Sequence, residues 1–187
     1  MWNRRTPRLG AVLLAAALLT ASPLNGQEAA EREGIWFNAG LGAGFDESMR
    51  WGPGFRVAAG TTIAPRLRLG IRAFQFEADP FGRDGSKSRS NVTATAAFYP
   101  SAGGHFFLAG GLGLATEQYQ ELVPGTTTAR WATSEYLGAY LGLGHDIRLG
   151  DGDLHLTPTV DALFGLIEDG LDNPDFSLLF TVGLGVR

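Results

Sequence analysis

Cysteine is absent from this 187-residue chain, lysine occurs once, at Lys87, and histidine three times. The missing cysteines exclude disulfide staples and thiolate metal sites. Scarce lysine removes the usual solubilising cover of a water-soluble sheet. The basic residues stand singly, without the stripe or cluster that a nucleic-acid backbone requires, and the formal net charge is −4. A helical period is also missing: after residue 33, apolar residues recur at every second position. What the chain has in quantity is glycine, 27 residues of it.

The N-terminus reads as a targeting segment rather than as fold. MWNRRTPR supplies Arg4, Arg5 and Arg8, and LGAVLLAAALLTAS is an apolar stretch of signal-peptide length. Cleavage is expected near Gly26, so that residues 1–26 form the leader and 27–33 a short periplasmic segment. Removing three arginines and no acids takes the net charge from −4 to −7.

Eight strands are expected, over 34–45, 51–64, 67–77, 88–99, 105–119, 131–149, 153–166 and 176–187. One parity carries the large apolar groups, as in Phe37, Leu41 and Phe45, or Leu178, Phe180, Val182, Leu184 and Val186. The other holds Gly, Ala, Ser, Thr and the strand charges, including Arg56, Arg68, Arg72, Asp146, Arg148 and Asp161. A soluble barrel would turn its Leu and Phe inward and leave glycine facing water. A membrane barrel reverses this, with the apolar parity against lipid and the small and polar parity filling a narrow lumen. The glycines then have a purpose: Gly40, Gly60, Gly70, Gly111, Gly142 and Gly183 yield lumen space to Trp36, Tyr136, Tyr140 and the arginines. Even-numbered junctions are short, as in Ala64-Pro65-Arg66 and Gly150-Asp151-Gly152. Odd-numbered ones, at 46–50, 78–87, 120–130 and 167–175, are mostly longer. The short ones are assigned to the periplasm and the longer ones to the exterior. Strands five and six are expected to run beyond the membrane as a hairpin around Pro124-Gly125. Aromatics gather near strand ends as interfacial girdles: Phe45, Trp51, Phe55, Trp131 and Phe164 outside, and Trp36, Phe98, Tyr99, Phe106 and Phe107 inside. Pro158, lacking a ladder donor, is expected to sit in a bulge.

From GIWFNAGLGAGF to FSLLFTVGLGVR the chain resembles the small eight-stranded outer-membrane barrels of the OmpA transmembrane domain and OmpX kind. The resemblance implies an all-β, eight-stranded antiparallel up-and-down transmembrane barrel over 34–187 in a bacterial outer membrane. It implies contact with outer-membrane lipid and lipopolysaccharide, and insertion by the barrel-assembly machinery. Such barrels usually end in an aromatic residue that this machinery reads; Val186-Arg187 departs from that pattern.

Chemistry-bearing motifs are sparse. The glycines of Gly40 to Gly44 precede no helix and make no phosphate loop. The acidic runs 150–153 and 168–175 lack calcium-loop spacing and match the residue preferences of turns. His105, His145 and His155 fall at the periplasmic rim, away from any outer-leaflet chemistry, so no catalytic, cofactor or metal site is expected. Arg56, Arg72 and Asp161 fall near mid-depth on the inward parity. There a lone charge is costly, so Asp161 is expected to join Arg56 or Arg72, with Tyr136 and Tyr140 as hydrogen-bonding neighbours. Three functions follow in order: a non-enzymatic structural or envelope-integrity protein with a surface-interaction role in its outer loops, a narrow channel or transporter for small apolar or anionic molecules, and an outer-leaflet lipid-modifying enzyme.

Overall fold

The computed structural model describes residues 34–78, 87–101, 105–122, 129–165 and 176–186. Alternating side chains and β-branched or aromatic residues on the apolar parity favour extended backbone throughout. The strands are β1 (Gly34–Asp46), β2 (Trp51–Ala64), β3 (Leu67–Ala78), β4 (Lys87–Phe98), β5 (Phe106–Leu122), β6 (Ala129–His145), β7 (Ile147–Arg148), β8 (His155–Gly165) and β9 (Phe176–Val186). From β1 to β6 each strand pairs antiparallel with the next, β6 and β7 both pair β8, β8 pairs β9, and β9 pairs β1, so the sheet closes. Two-residue β7 continues β6 after Asp146, which gives eight staves.

The wall is inside-out relative to a soluble protein. Leu41 is 75% exposed, Leu141 65% and Leu184 51%, with Phe37, Leu108, Leu112, Leu114 and Val182 also facing outward. Arg56 is 1% exposed and Asp161 0%. An apolar surface this continuous, wrapped around buried charge, is a lipid-facing surface. The band stops where polar groups enter the outward parity. Gln75, Glu77, Thr116 and Glu135 mark its loop end, and His145 lies at the short-turn end.

Several sequence expectations need correction. The expected junction 120–130 shrinks to 123–128, because β5 reaches Leu122 and β6 begins at Ala129. Asp46, Ala78 and Lys87 likewise belong to strands rather than to their junctions. Junctions 79–86 and 166–175 lie outside the described residues, as do 1–33 and Arg187. The sixth strand does not run unbroken to 149, since pairing lapses around Asp146. Trp36, Tyr99 and Phe107 are not girdle residues: their parity points them into the lumen, where all three are buried. Phe98 and Phe106, together with Phe37, are the outward aromatics at that end. Arg148 is not in the lumen either. It is exposed at the rim, where its Nε and Nη2 donate to the carbonyls of Gly152 and Asp151 at 3.1 and 2.8 Å.

Pro158 makes no bulge. The β6–β8 ladder runs from Gly138↔Gly165 to Gly144↔Thr159, skips two pairs, and resumes in the same register at Ile147↔Leu156. Proline supplies no N–H, and the Asp146 N–H turns away to the His105 carbonyl at 2.8 Å. The register shift occurs instead on β2, between Thr62 and Ala64, beside the Pro65-Arg66 turn.

Glycine is spatially required where large lumen residues cross. A Cβ on Gly111 would lie 2.6 Å from Tyr140 Cε1, and one on Gly183 would lie 2.6 Å from Asn38 Oδ1 and 3.0 Å from Arg56 Nη2. Gly111→Ala is therefore expected to destabilise the barrel by about 1–3 kcal/mol in reversible urea unfolding. A neutral result would mean that both the Tyr140 ring and the Ala94 carbonyl, which such a Cβ would approach more closely still, have room to move.

Candidate functional site

The inward parity places charge from every part of the chain along one axis, and the stagger of the strands sorts it into three tiers. At mid-depth, Asp161 of β8 accepts from Arg72 Nη1 of β3 at 2.9 Å and from Thr159 Oγ1 at 3.1 Å. Thr159 also bonds Thr181 at 2.8 Å. Arg56 Nη1 stands 4.0 Å from the same carboxylate, while its Nη2 donates to Asn38 Oδ1 at 2.6 Å. The Arg72 guanidinium lies over the Tyr140 ring, 4.7 Å from its centroid, and the Tyr140 hydroxyl bonds Thr95. Asp161 thus meets both Arg56 and Arg72, with Tyr140 alongside.

Tyr136 belongs elsewhere. It sits in a tier nearer the loop end, where its hydroxyl reaches Glu117 Oε2 at 3.4 Å. There Glu117 pairs with Lys87 at 2.9 Å and Arg89 at 3.0 Å; Lys87 also takes Glu47 at 2.8 Å, and Arg89 donates to Ser177 at 2.8 Å. This tier ties the first outer loop to β4, β5 and β9. Asp46 stiffens that loop further, accepting from the Ser48 and Arg50 amides and from Arg50 Nε at 3.0, 2.8 and 2.7 Å.

The third tier, near the short turns, joins Arg68, Tyr99, Asp146 and Thr157. Tyr99 accepts from Arg68 at 2.6 Å and donates to Asp146 at 2.8 Å, while Thr157 donates to the other Asp146 oxygen at 2.9 Å. Sequence reasoning put Arg68 and Asp146 on the inward parity without joining them. Their shared signal was position: each lies a few residues from a short turn, Pro65-Arg66 or Gly150-Asp151-Gly152, at the same end. The Lys87–Glu117 tier gave no such signal, because both residues border junctions of uncertain length.

Between the tiers the lumen is filled by apolar rings and side chains. Phe74, Phe76, Tyr140, Leu163 and Leu179 are each at most 2% exposed. Phe74 and Tyr140 pack edge to face at 5.1 Å. A water-filled pore would leave such lining groups wet. His105 and His145 lie with ring centroids 5.8 Å apart on the outer face of the wall at the short-turn end, away from the acids of the lumen. Chemically, the lumen is a ladder of ion pairs in which several buried donors, among them Trp36 Nε1 and the Nε groups of Arg56 and Arg72, meet no acceptor among the described residues.

Solved structures share this architecture. The Neisserial surface protein NspA superposes with a TM-score of 0.52 at 14% identity, over 82% of this chain and 95% of that one. Ail, the attachment invasion locus protein of Yersinia pestis, solved with the heparin analogue sucrose octasulfate, gives 0.54 at 13% identity over 82% and 99%. A major outer membrane protein of Thermus thermophilus gives 0.51 at 17% identity over 82% and 99%. At these identities the likeness is one of fold. No protein-family model matches the sequence, and no curated protein matches it.

Proposed function

We propose that this chain, a small eight-stranded outer-membrane β-barrel, is a non-enzymatic envelope protein whose barrel is a closed anchor and whose external end is the working surface. The observation that carries this reading is the buried mid-lumen: Asp161 at 0%, Arg56 and Tyr140 at 1% and Leu179 at 0% exposure leave the axis occupied by side chains. The external end supports it. From Thr116↔Glu135 to Leu122↔Ala129 the β5–β6 ladder continues past the apolar band, about 20 Å along the strand. This projection, flanked by β4 as far as Ser88↔Gln118 and two-stranded beyond it, is held by the Lys87–Glu117 tier and is a platform for contact with lipopolysaccharide or with an external partner. Insertion by the barrel-assembly machinery belongs to the same reading.

A second reading rests on the outer wall. A groove of about 400 Å³, lined by Leu41, Phe106, Leu143, Pro158, Phe180 and Val182 among others, lies where the β6–β8 ladder lapses. It offers small apolar molecules a lateral path.

Planar-bilayer recording tests the closed lumen. The wild-type barrel is expected to show no steady conductance, and a stable open level would overturn the closed anchor. Lipid A mass spectra are expected to be the same with and without the protein. Cells whose β5–β6 projection is shortened by deleting 120–130 are expected to lose surface binding while the barrel still inserts.

A further inference from the structure

The short-turn end of the lumen contains a cavity of about 40 Å³, lined among others by Trp36, Arg56, Arg68, Arg72 and Asp146. We propose that it binds a single monovalent inorganic anion, a halide such as chloride, held by the arginines and the Trp36 indole.

The first ground is charge. Across the lower and middle tiers three guanidinium groups, Arg56, Arg68 and Arg72, stand against two carboxylates, Asp146 and Asp161, all of them buried. Among these arginines and carboxylates of the described residues the cationic surplus is one, with His155, buried on the same cavity wall, left out of the count. Arg56 carries most of it, because its short contact is to a neutral amide, Asn38 Oδ1 at 2.6 Å, while Asp161 is 4.0 Å away and already engaged by Arg72. A buried charge without a counter-charge is expensive, and an anion cancels it.

The second ground is the kind of polar group left over. Arg56 Nη1 makes no hydrogen bond to a described residue, its nearest carboxylate oxygen being 4.0 Å away, and on the same lining residues the Trp36 Nε1 and the Nε groups of Arg56 and Arg72 are buried N–H donors with no acceptor among the described residues. The nearby acceptors are spent. Asp146 takes Tyr99, Arg68 and Thr157, and Asp161 takes Arg72 and Thr159. Water would bring two further hydrogens into a site rich in donors, whereas a halide only accepts. Size agrees, since the cavity has room for about two or three water-sized occupants.

Trp36 itself reports occupancy. The sequence has four tryptophans, so the full chain carrying Trp2→Phe, Trp51→Phe and Trp131→Phe keeps Trp36 as its sole indole. Exchanging gluconate for bromide at constant ionic strength in lipid vesicles is expected to quench its fluorescence with a saturable component. Asn38→Asp places a carboxylate beside Arg56 with almost no change of shape. It is expected to weaken that component roughly tenfold or more, with the barrel still folded by its gel mobility. Quenching that rises linearly without saturation, or saturation unchanged by Asn38→Asp, overturns the site. Crystals grown in sodium bromide give an independent readout. An anomalous peak between Arg56 and Trp36 supports the proposal, and a water there without anomalous signal refutes it.

Discussion

Replacing Asp161 by alanine is expected to lower the unfolding free energy by about 3–5 kcal/mol. The carboxylate is fully buried, accepts from Arg72 at 2.9 Å and Thr159 at 3.1 Å, and lies 4.0 Å from Arg56. Its removal leaves two guanidinium groups facing each other in a poorly hydrated lumen. Asp161→Asn keeps the acceptor and loses the charge, so an intermediate loss is expected. The pair Arg72→Met with Asp161→Leu removes both charges and is expected to lose less than Asp161→Ala alone, because an apolar filling replaces a broken ion pair. Urea unfolding in lipid vesicles, followed by the gel shift between folded and unfolded barrel, measures all three. A loss below about 1 kcal/mol for Asp161→Ala would mean that the pair is hydrated and contributes little. Conductance is a second readout: if the mid-tier is what closes the axis, Asp161→Ala opens measurable current where the wild type shows none.

Leu141→Arg tests the wall rather than the lumen. Leu141 is 65% exposed, stands opposite Gly110 on β5 and Ala162 on β8, and lies within the apolar band between Leu137 and His145. Against hydrocarbon near the bilayer midplane, arginine costs about 2–4 kcal/mol, falling to about 0–1 kcal/mol near the interface. Glu135→Arg, on the same parity but beyond the band, is therefore expected to be nearly neutral. Were this face in water, Leu141→Arg would fall within about 0.5 kcal/mol of the wild type. The pair of variants reads depth directly, and equal costs at the two positions would contradict the assigned band.

The inside-out arrangement was legible because parity is local. Leu41 and Gly40 face opposite ways whatever the rest of the chain does, and one lysine in the whole sequence argued against the soluble alternative. The mid-depth placement of Arg56, Arg72 and Asp161 was legible by counting inward from strand ends. Partnership was harder to read. Whether Tyr136 or Tyr140 meets Arg72 depends on how far each strand slides against its neighbour, and that stagger is fixed only when the ladder closes. The two tyrosines share a parity and a strand, four residues apart, yet one serves Glu117 and the other Arg72. A different slip put Trp36, Tyr99 and Phe107 in the girdle: nearness to a strand end was read as an interfacial position when parity already pointed inward, as the lumen placement of Trp36 had it. Pro158 was misjudged differently, since a bulge and a lapse both dispense with one donor, and only the unchanged register of Ile147↔Leu156 distinguishes them.

Seven of the eight staves' junctions bring together segments that follow one another along the chain. The eighth joins β1 to β9, ten consecutive pairs from Phe37↔Val186 to Asp46↔Ser177. That seam links positions 131 to 149 residues apart, so its loop-closure entropy must be met before any of its contacts form. Until it zips, the first strand presents a bare edge of main-chain donors and acceptors that acyl chains cannot satisfy. A sheet whose seam is still open therefore has no hydrogen-bonded resting state against bare hydrocarbon.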